Sequence, residues 1–205
     1  MKLLVGFYNK SVIVTYIGVA SAITGIFFAV TGSIKAAMLC MILCGLCDML
    51  DGTFARRCKR TDEEKEFGLQ IDSLADMMSF AAFPVAIGIG LGCTRWYNIV
   101  ISVFYVLAAI TRLGFFNITS MMKTEKRGCY RGLPVTFASL IFTLVWLVGN
   151  LLKAAHFKLI FSIVMLITSI FFVLNIKIQK PNGTGLILFG IIAFGMIAAV
   201  IFIGV

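Results

Sequence analysis

The chain alternates between long apolar runs and short polar breaks, and each run is long enough for a membrane-spanning helix. At a rise of 1.5 Å per residue, about 20 apolar residues cross the ~30 Å hydrocarbon core of a bilayer. The pattern predicts an all-α, polytopic membrane helix bundle with six or seven transmembrane helices. We expect spans at approximately 11–31, 34–55, 70–92, 97–119, 133–152, 157–178 and 183–204. The last run is also compatible with a helix on the membrane surface, which would leave six crossings.

Composition excludes an ordinary soluble domain. Of the 205 residues, 60% are hydrophobic and only 13% are charged, whereas soluble chains have about 25% charged residues. Seven spans would use roughly 140 residues, which leaves no room for a separate soluble catalytic domain. We therefore expect a single integral-membrane domain over residues 1–205, with its chemistry built from helices and short loops. The six cysteines show no secreted disulfide framework and are interpreted as reduced packing residues.

The basic residues predict the orientation of the chain. The net charge of +9 would favour nucleic-acid binding in a soluble protein, but in a membrane protein it indicates topology first, so no nucleic-acid partner is expected. With the N-terminus in the cytoplasm, thirteen Lys and Arg residues fall on that side and four on the other. This bias places the connection at 56–69 in the cytoplasm.

Eight of the nine acidic residues lie between Asp48 and Asp76. Asp48 and Asp51 are spaced i, i+3 near the end of the second span, and Asp72 and Asp76 are spaced i, i+4 near the start of the third. Each spacing puts two carboxylates on one helical face. The acids at 62–66 are expected to be solvated charges in a loop.

Two antiparallel helices joined by a short cytoplasmic loop would bring these four aspartates together. Four carboxylates at a membrane boundary require compensating cations. Because the only histidine, His156, is far along the chain, hard divalent ions such as Mg²⁺ or Mn²⁺ are favoured over zinc. A pair of such ions commonly serves phosphoryl chemistry. Gly52 would let a ligand approach the backbone closely, and Arg56 offers a planar fork for a diphosphate.

A cation channel or transporter that uses the acids as an ion path is the alternative from another functional class. Acidic residues within membrane spans commonly line ion paths and proton relays. Such a path would gain nothing from Arg56.

The residues from Asp48 to Asp76 resemble the signature of the CDP-alcohol phosphotransferase (phosphatidyltransferase) family, D-x-x-D-G-x-x-A-R followed by G-x-x-x-D-x-x-x-D. All eight fixed positions match: Asp48, Asp51, Gly52, Ala55, Arg56, Gly68, Asp72 and Asp76. One departure is the gap between Arg56 and Gly68, which holds eleven residues and is longer than the family usually has.

The resemblance implies a six-helix core, a homodimer and an active site open to the cytoplasm. It also implies roles for individual residues. Asp48, Asp51, Asp72 and Asp76 would hold two divalent ions, and Asp76 would also be the catalytic base. The CDP moiety would contact Asp48, Gly52, Ala55, Arg56 and Gly68. The implied reaction transfers a phosphatidyl group from CDP-diacylglycerol to an alcohol and releases CMP.

The sequence after Asp72 is similar to the phosphatidylserine synthase branch of the family. The similar stretches are 72–80, Phe83-Pro84, 112–117 and 132–134. They favour L-serine as the acceptor, with inositol phosphate or glycerol phosphate as the alternatives. Arg112 and Arg131 are the candidate acceptor-binding residues. Arg112 could instead snorkel to the membrane interface, and Arg131 could contact anionic lipid.

Overall fold

The structure is a computed structural model that describes residues 6–57, 60–121, 129–153, 155–179 and 183–203. In this part of the chain, seven helical rods form one bundle, which confirms the predicted all-α membrane architecture. One rod is composite, because a π-helical stretch at Met77–Ala82 joins α3 to α4 without a break. The helices are α1 (Lys10–Val30), α2 (Ile34–Arg57), α3 (Asp62–Asp76), α4 (Phe83–Gly90), α5 (Trp96–Met121), α6 (Phe137–Leu151), α7 (Phe157–Val173) and α8 (Gly183–Ile203).

The outer surface of the bundle is apolar, as expected for a surface that faces lipid. Three rods are long and apolar enough to cross a membrane, at Ser11–Val30, Asp62–Gly90 and Trp96–Ser120, and α6, α7 and α8 contribute shorter apolar segments. Large side chains such as Phe27 and Phe194 are 65% and 68% exposed. A soluble protein rarely exposes so much contiguous apolar surface.

Small residues allow the close packing of α1 on α2 and α4. Gly18, Ala22, Gly25 and Ala29 recur every three or four positions along α1, and both alanines are fully buried. A Cβ atom at Gly25 would lie 2.7 Å from the Cβ of Cys40 and still closer to the ring of Phe83. In membranes, where helices associate by van der Waals contact, such small residues set how closely the backbones approach.

Helix α3 begins at Asp62, eight residues before the predicted start of the third span at residue 70. The interpretation of residues 62–66 as loop charges is therefore wrong. Thr61 and Glu64 form a capping box: the Thr61 hydroxyl accepts from the Glu64 N–H, and the Glu64 carboxylate accepts from the Thr61 N–H. Acidic residues in the first turn also favour the helix N-terminus, so the charges start the helix rather than precede it.

A short antiparallel β-ladder was not predicted. Strand β1 (Cys129–Arg131) pairs with β2 (Lys177–Gln179), so the sixth span, predicted to reach residue 178, ends as a helix at Val173. Gly132 follows β1 with φ +75°, and a Cβ there would lie 2.7 Å from the Phe172 carbonyl oxygen. The ladder and this glycine fix the entry into α6 on the same end of the bundle as the aspartates.

Candidate active site

Three of the four predicted aspartates form a compact cluster. Carboxylate oxygens of Asp48 and Asp51 on α2 and of Asp72 on α3 all lie within 4.8 Å of one another. The i, i+3 spacing on α2 places its two carboxylates toward α3. The predicted convergence of the two pairs is therefore seen in the structure.

Asp76 lies one turn beyond Asp72, beside Asp48. The carboxyl groups of Asp48 and Asp76 are within hydrogen-bonding range of each other. All four aspartates line one narrow cavity of about 10 Å³, which is room for a single water molecule or ion.

Helix α1 holds Asp51 in place. The Thr15 hydroxyl donates to Oδ2 of Asp51 at 2.8 Å, and the Ser11 hydroxyl donates to the Asp51 backbone oxygen at 3.4 Å. Asp51 is only 4% exposed and Thr15 only 7%. This hydrogen bond restricts the orientation of the Asp51 carboxylate, as outer partners commonly do for a metal ligand.

The donor set fits a hard divalent cation. Carboxylate oxygens are the ligands that Mg²⁺ and Mn²⁺ prefer. Lys65 forms an ion pair with Asp62, at 2.7 Å. Among the Lys and Arg side chains that the structure describes, which do not include those of Arg56 and Arg57, none is seen within ion-pair distance of the four aspartates. His156 precedes α7 at the opposite end of the bundle. The negative charge of the four carboxylates must therefore be balanced by something other than the basic side chains that the structure describes.

The π-helical stretch begins immediately after Asp76, and its cause is readable in the sequence. Pro84 has no N–H, so it cannot donate to the carbonyl of Phe80 four residues earlier. The buried Tyr105 hydroxyl donates to that carbonyl instead, at 2.7 Å, while the N–H of Phe83 donates to Met78 five residues back. Such π-bulges are common at functional sites.

Two larger cavities meet at the aspartates. The first, of about 430 Å³, is bounded by Asp48, Asp51 and Asp72 and by apolar side chains of α6 and α8 such as Phe137 and Leu188. The second, of about 190 Å³, lies between α1, α2 and α3 and is lined by Asp51, Asp72 and the two glycines of the signature, Gly52 and Gly68. Asp51 and Asp72 therefore face a cavity with an apolar wall and a smaller cavity beside the glycines.

Arg112 is not part of this arrangement. It is 6% exposed, its Nε donates to the Leu133 carbonyl at 3.2 Å, and its guanidinium lies 5.4 Å from the centroid of the Phe116 ring. It lines a separate cavity of about 270 Å³ with Asn175. Helix α5 does approach the aspartates elsewhere, since the Ser73 hydroxyl donates to Asn117 at 2.8 Å.

Three other predicted site residues fall where the side chains lie outside the described part of the structure. These are Ala55 and Arg56 near the end of α2, and Arg131 in β1.

Sequence reasoning missed the supporting residues. Ser11 and Thr15 are spaced i, i+4 in an otherwise apolar span, and polar residues repeated at that spacing could have indicated a face turned toward α2. No comparable sequence pattern indicates the role of Tyr105, because only the fold brings its hydroxyl to the Phe80 carbonyl.

Comparisons with known proteins identify the family and several relatives of the chain. The sequence profile of the CDP-alcohol phosphatidyltransferase family matches residues 9–174. The archaetidylserine synthase of Methanothermobacter thermautotrophicus is 28% identical over 174 residues, 84% of this chain and 70% of the relative. The CDP-diacylglycerol–serine O-phosphatidyltransferase of Saccharomyces cerevisiae is 37% identical over 100 residues, 46% of this chain and 35% of the relative. The protein of the same name in Helicobacter pylori is 29% identical over 140 residues, 65% of this chain and 56% of the relative.

Proposed function

Because the chain belongs to the CDP-alcohol phosphatidyltransferase family, we propose that it transfers the phosphatidyl group of CDP-diacylglycerol to L-serine, which yields phosphatidylserine and CMP. The observation that carries the proposal is the position of the aspartate cluster, where a cavity with an apolar wall meets a smaller cavity beside two glycines. A donor with a lipid half and a nucleotide half needs its reacting phosphate at such a junction.

Serine is the acceptor best supported by the relatives. The names of the archaeal, yeast and Helicobacter proteins differ in the lipid but share serine. The acceptor remains a proposal because the matched region covers only about a third of the yeast relative and just over half of the Helicobacter one. Inositol phosphate and glycerol phosphate carry a phosphate group, and binding them would require a denser set of basic side chains than binding serine.

The four aspartates would hold the divalent ions of the site. Asp48, Asp51 and Asp72 supply the clustered oxygens, and Asp76 would contribute beside Asp48. Two Mg²⁺ or Mn²⁺ ions, when bound there, would offset phosphate charge and polarise the phosphorus.

The side chains around the ions would divide the remaining work. The lipid chains of the donor would lie against α6 and α8, and the CDP moiety would lie by Gly52, Ala55, Arg56 and Gly68. Asp76 would accept the serine hydroxyl proton as the bond from oxygen to the phosphatidyl phosphorus forms and the bond from that phosphorus to the CMP oxygen breaks.

Acceptor binding by Arg112 and Arg131 remains a prediction. Arg112 contacts the Leu133 carbonyl and the Phe116 ring. Any effect of Arg112 on serine binding would therefore be indirect, through the position of the segment that enters α6. We also propose that the chain is a single domain over residues 1–205, that it forms a homodimer, and that its active site lies on the cytoplasmic side of the cell membrane.

The test is CMP release by the purified chain in lipid, with CDP-diacylglycerol and Mg²⁺ or Mn²⁺, and with L-serine added or omitted. Release that requires both metal and serine supports the proposal. Metal-dependent release that ignores serine, but responds to inositol phosphate or glycerol phosphate, would refute the choice of acceptor. If CMP appears under none of these conditions, the reaction itself is wrong and the transporter hypothesis gains.

A further inference from the structure

Arg60 lies between Arg56 and Gly68 of the signature, and its side chain folds back onto Gly68. The residue lies just before the Thr61 cap of α3. A Cβ atom at Gly68, two turns into the helix, would lie 3.3 Å from Nη1 of Arg60. The guanidinium therefore rests on the surface that the absence of a side chain at Gly68 leaves free.

The Nε of Arg60 is buried and has no hydrogen-bond partner within the described residues. A buried N–H without an acceptor is costly, and the cost is larger for a charged group. Arg60 lines the 190 Å³ cavity together with Asp51, Gly52, Gly68 and Asp72, yet it forms no ion pair with either aspartate in the described structure. The side chain therefore has an unpaired buried donor, Nε, and lines a cavity that adjoins the carboxylate cluster.

A phosphate group is the ligand that best matches these donors. An arginine offers five N–H groups in a planar fork that suits phosphate oxygens. A second cation would be repelled by the guanidinium, and a neutral ligand would leave its charge uncompensated. Asp51 and Asp72 line the same cavity, so an anion bound by Arg60 would lie beside carboxylates that are proposed to hold the divalent ions.

We propose that Arg60 binds a phosphate oxygen of the cytidine nucleotide in the cavity that it lines together with Asp51 and Asp72. This inference rests on the proposed function. It adds Arg60 to the nucleotide contacts that the family signature implies, and a Cβ atom at Gly68, 3.3 Å from Nη1, would crowd the guanidinium.

The test is equilibrium binding of CDP to the purified full chain with Mn²⁺, comparing the parent protein with Arg60→Gln and Arg60→Lys. Loss of a charge-assisted contact should weaken CDP binding roughly 10- to 100-fold in Arg60→Gln, and Arg60→Lys should recover part of it. Arg95→Gln is the matched control, because Arg95 is exposed at the opposite end of the bundle, and it should bind CDP like the parent. Cytidine, which has no phosphate, should bind Arg60→Gln and the parent equally in competition experiments.

Two results would overturn the inference and are distinguishable from each other. The first is that the parent binds CDP and Arg60→Gln binds it with an affinity within twofold of the parent, or loses affinity for cytidine as much as for CDP. In that case Arg60 does not bind the phosphate, and the proposed function stands. If the parent does not bind CDP with Mn²⁺, the proposed function fails and the role of Arg60 fails with it. Unchanged Mn²⁺ binding by Arg60→Gln would show that the variant retains its folded aspartate cluster.

Discussion

Replacing Thr15 by valine tests whether α1 helps to assemble the aspartate cluster. Valine has nearly the shape of threonine but removes the hydroxyl that donates to Oδ2 of Asp51 at 2.8 Å. Asp51 is 4% exposed, so solvent cannot readily replace the lost donor. A hydrogen bond to a charged group contributes about 1.5–3 kcal/mol, and loss of an outer partner typically lowers metal affinity 10- to 100-fold. We expect the Mn²⁺ concentration for half-maximal CMP release to rise by roughly that factor.

The assay is a Mn²⁺ titration of CMP release, with Mn²⁺ binding measured separately by electron paramagnetic resonance. Thr15→Ser keeps the hydroxyl and should stay close to the parent. Thr24→Val is the matched control on the same helix, because the Thr24 hydroxyl is exposed and donates only to the Ala20 carbonyl at 2.8 Å. If Thr15→Val and Thr24→Val required the same Mn²⁺ concentration, the proposed support of Asp51 by α1 would be refuted.

Three further predictions concern the base, the π-helical stretch and helix packing. Asp76→Asn should lower the rate of CMP release about 10²- to 10⁴-fold while CDP binding persists; retained turnover would exclude Asp76 as the base. Tyr105→Phe leaves the Phe80 carbonyl without its donor and should lower the free energy of unfolding by about 1–3 kcal/mol, measured by thermal or denaturant unfolding in detergent. Gly25→Ala should destabilise by about 1–3 kcal/mol through overpacking, whereas Gly195→Ala, with nothing within 4 Å of the added Cβ, should not; equal unfolding midpoints for the two variants would contradict the packing argument.

The sequence predicted the elements whose cause is local. The apolar runs predicted the helices, and the i, i+3 and i, i+4 spacings predicted that each pair of aspartates shares one helical face. Both predictions depend only on the geometry of a single helix. The start of α3 at Asp62 also has a local cause, the capping box of Thr61 and Glu64. The low hydropathy of residues 62–66 favours a loop, but the capping residues determine that the helix begins there.

The remaining features depend on contacts between distant parts of the chain. Pro84 predicts that the Phe80 carbonyl lacks its usual helical donor. Only the fold shows that the Tyr105 hydroxyl, from α5, donates to that carbonyl instead. The ladder of Cys129–Arg131 with Lys177–Gln179 joins segments more than forty residues apart. The apolar run of α8 is also compatible with a helix on the membrane surface. Its place in the bundle is set by packing on α2 and α6 and by Lys35, whose Nζ donates to the Ile201 carbonyl at 3.0 Å.

The packing beyond the aspartates also bears on the choice between an enzyme and a cation transporter. An ion path would need polar side chains that continue from the carboxylates toward the opposite end of the bundle. Cys44 and Ser79 still line the narrow cavity with the aspartates. Beyond them, the buried residues of α2 and α4 within the described structure are Met38, Met41, Ile42, Phe83 and Ile87, all at most 1% exposed. A desolvated cation has no ligands among these side chains, so the cluster is closed on that side. It opens instead into the two cavities at its own end of the bundle, which is the arrangement expected of a site that receives its substrates and releases its products on one side of the membrane.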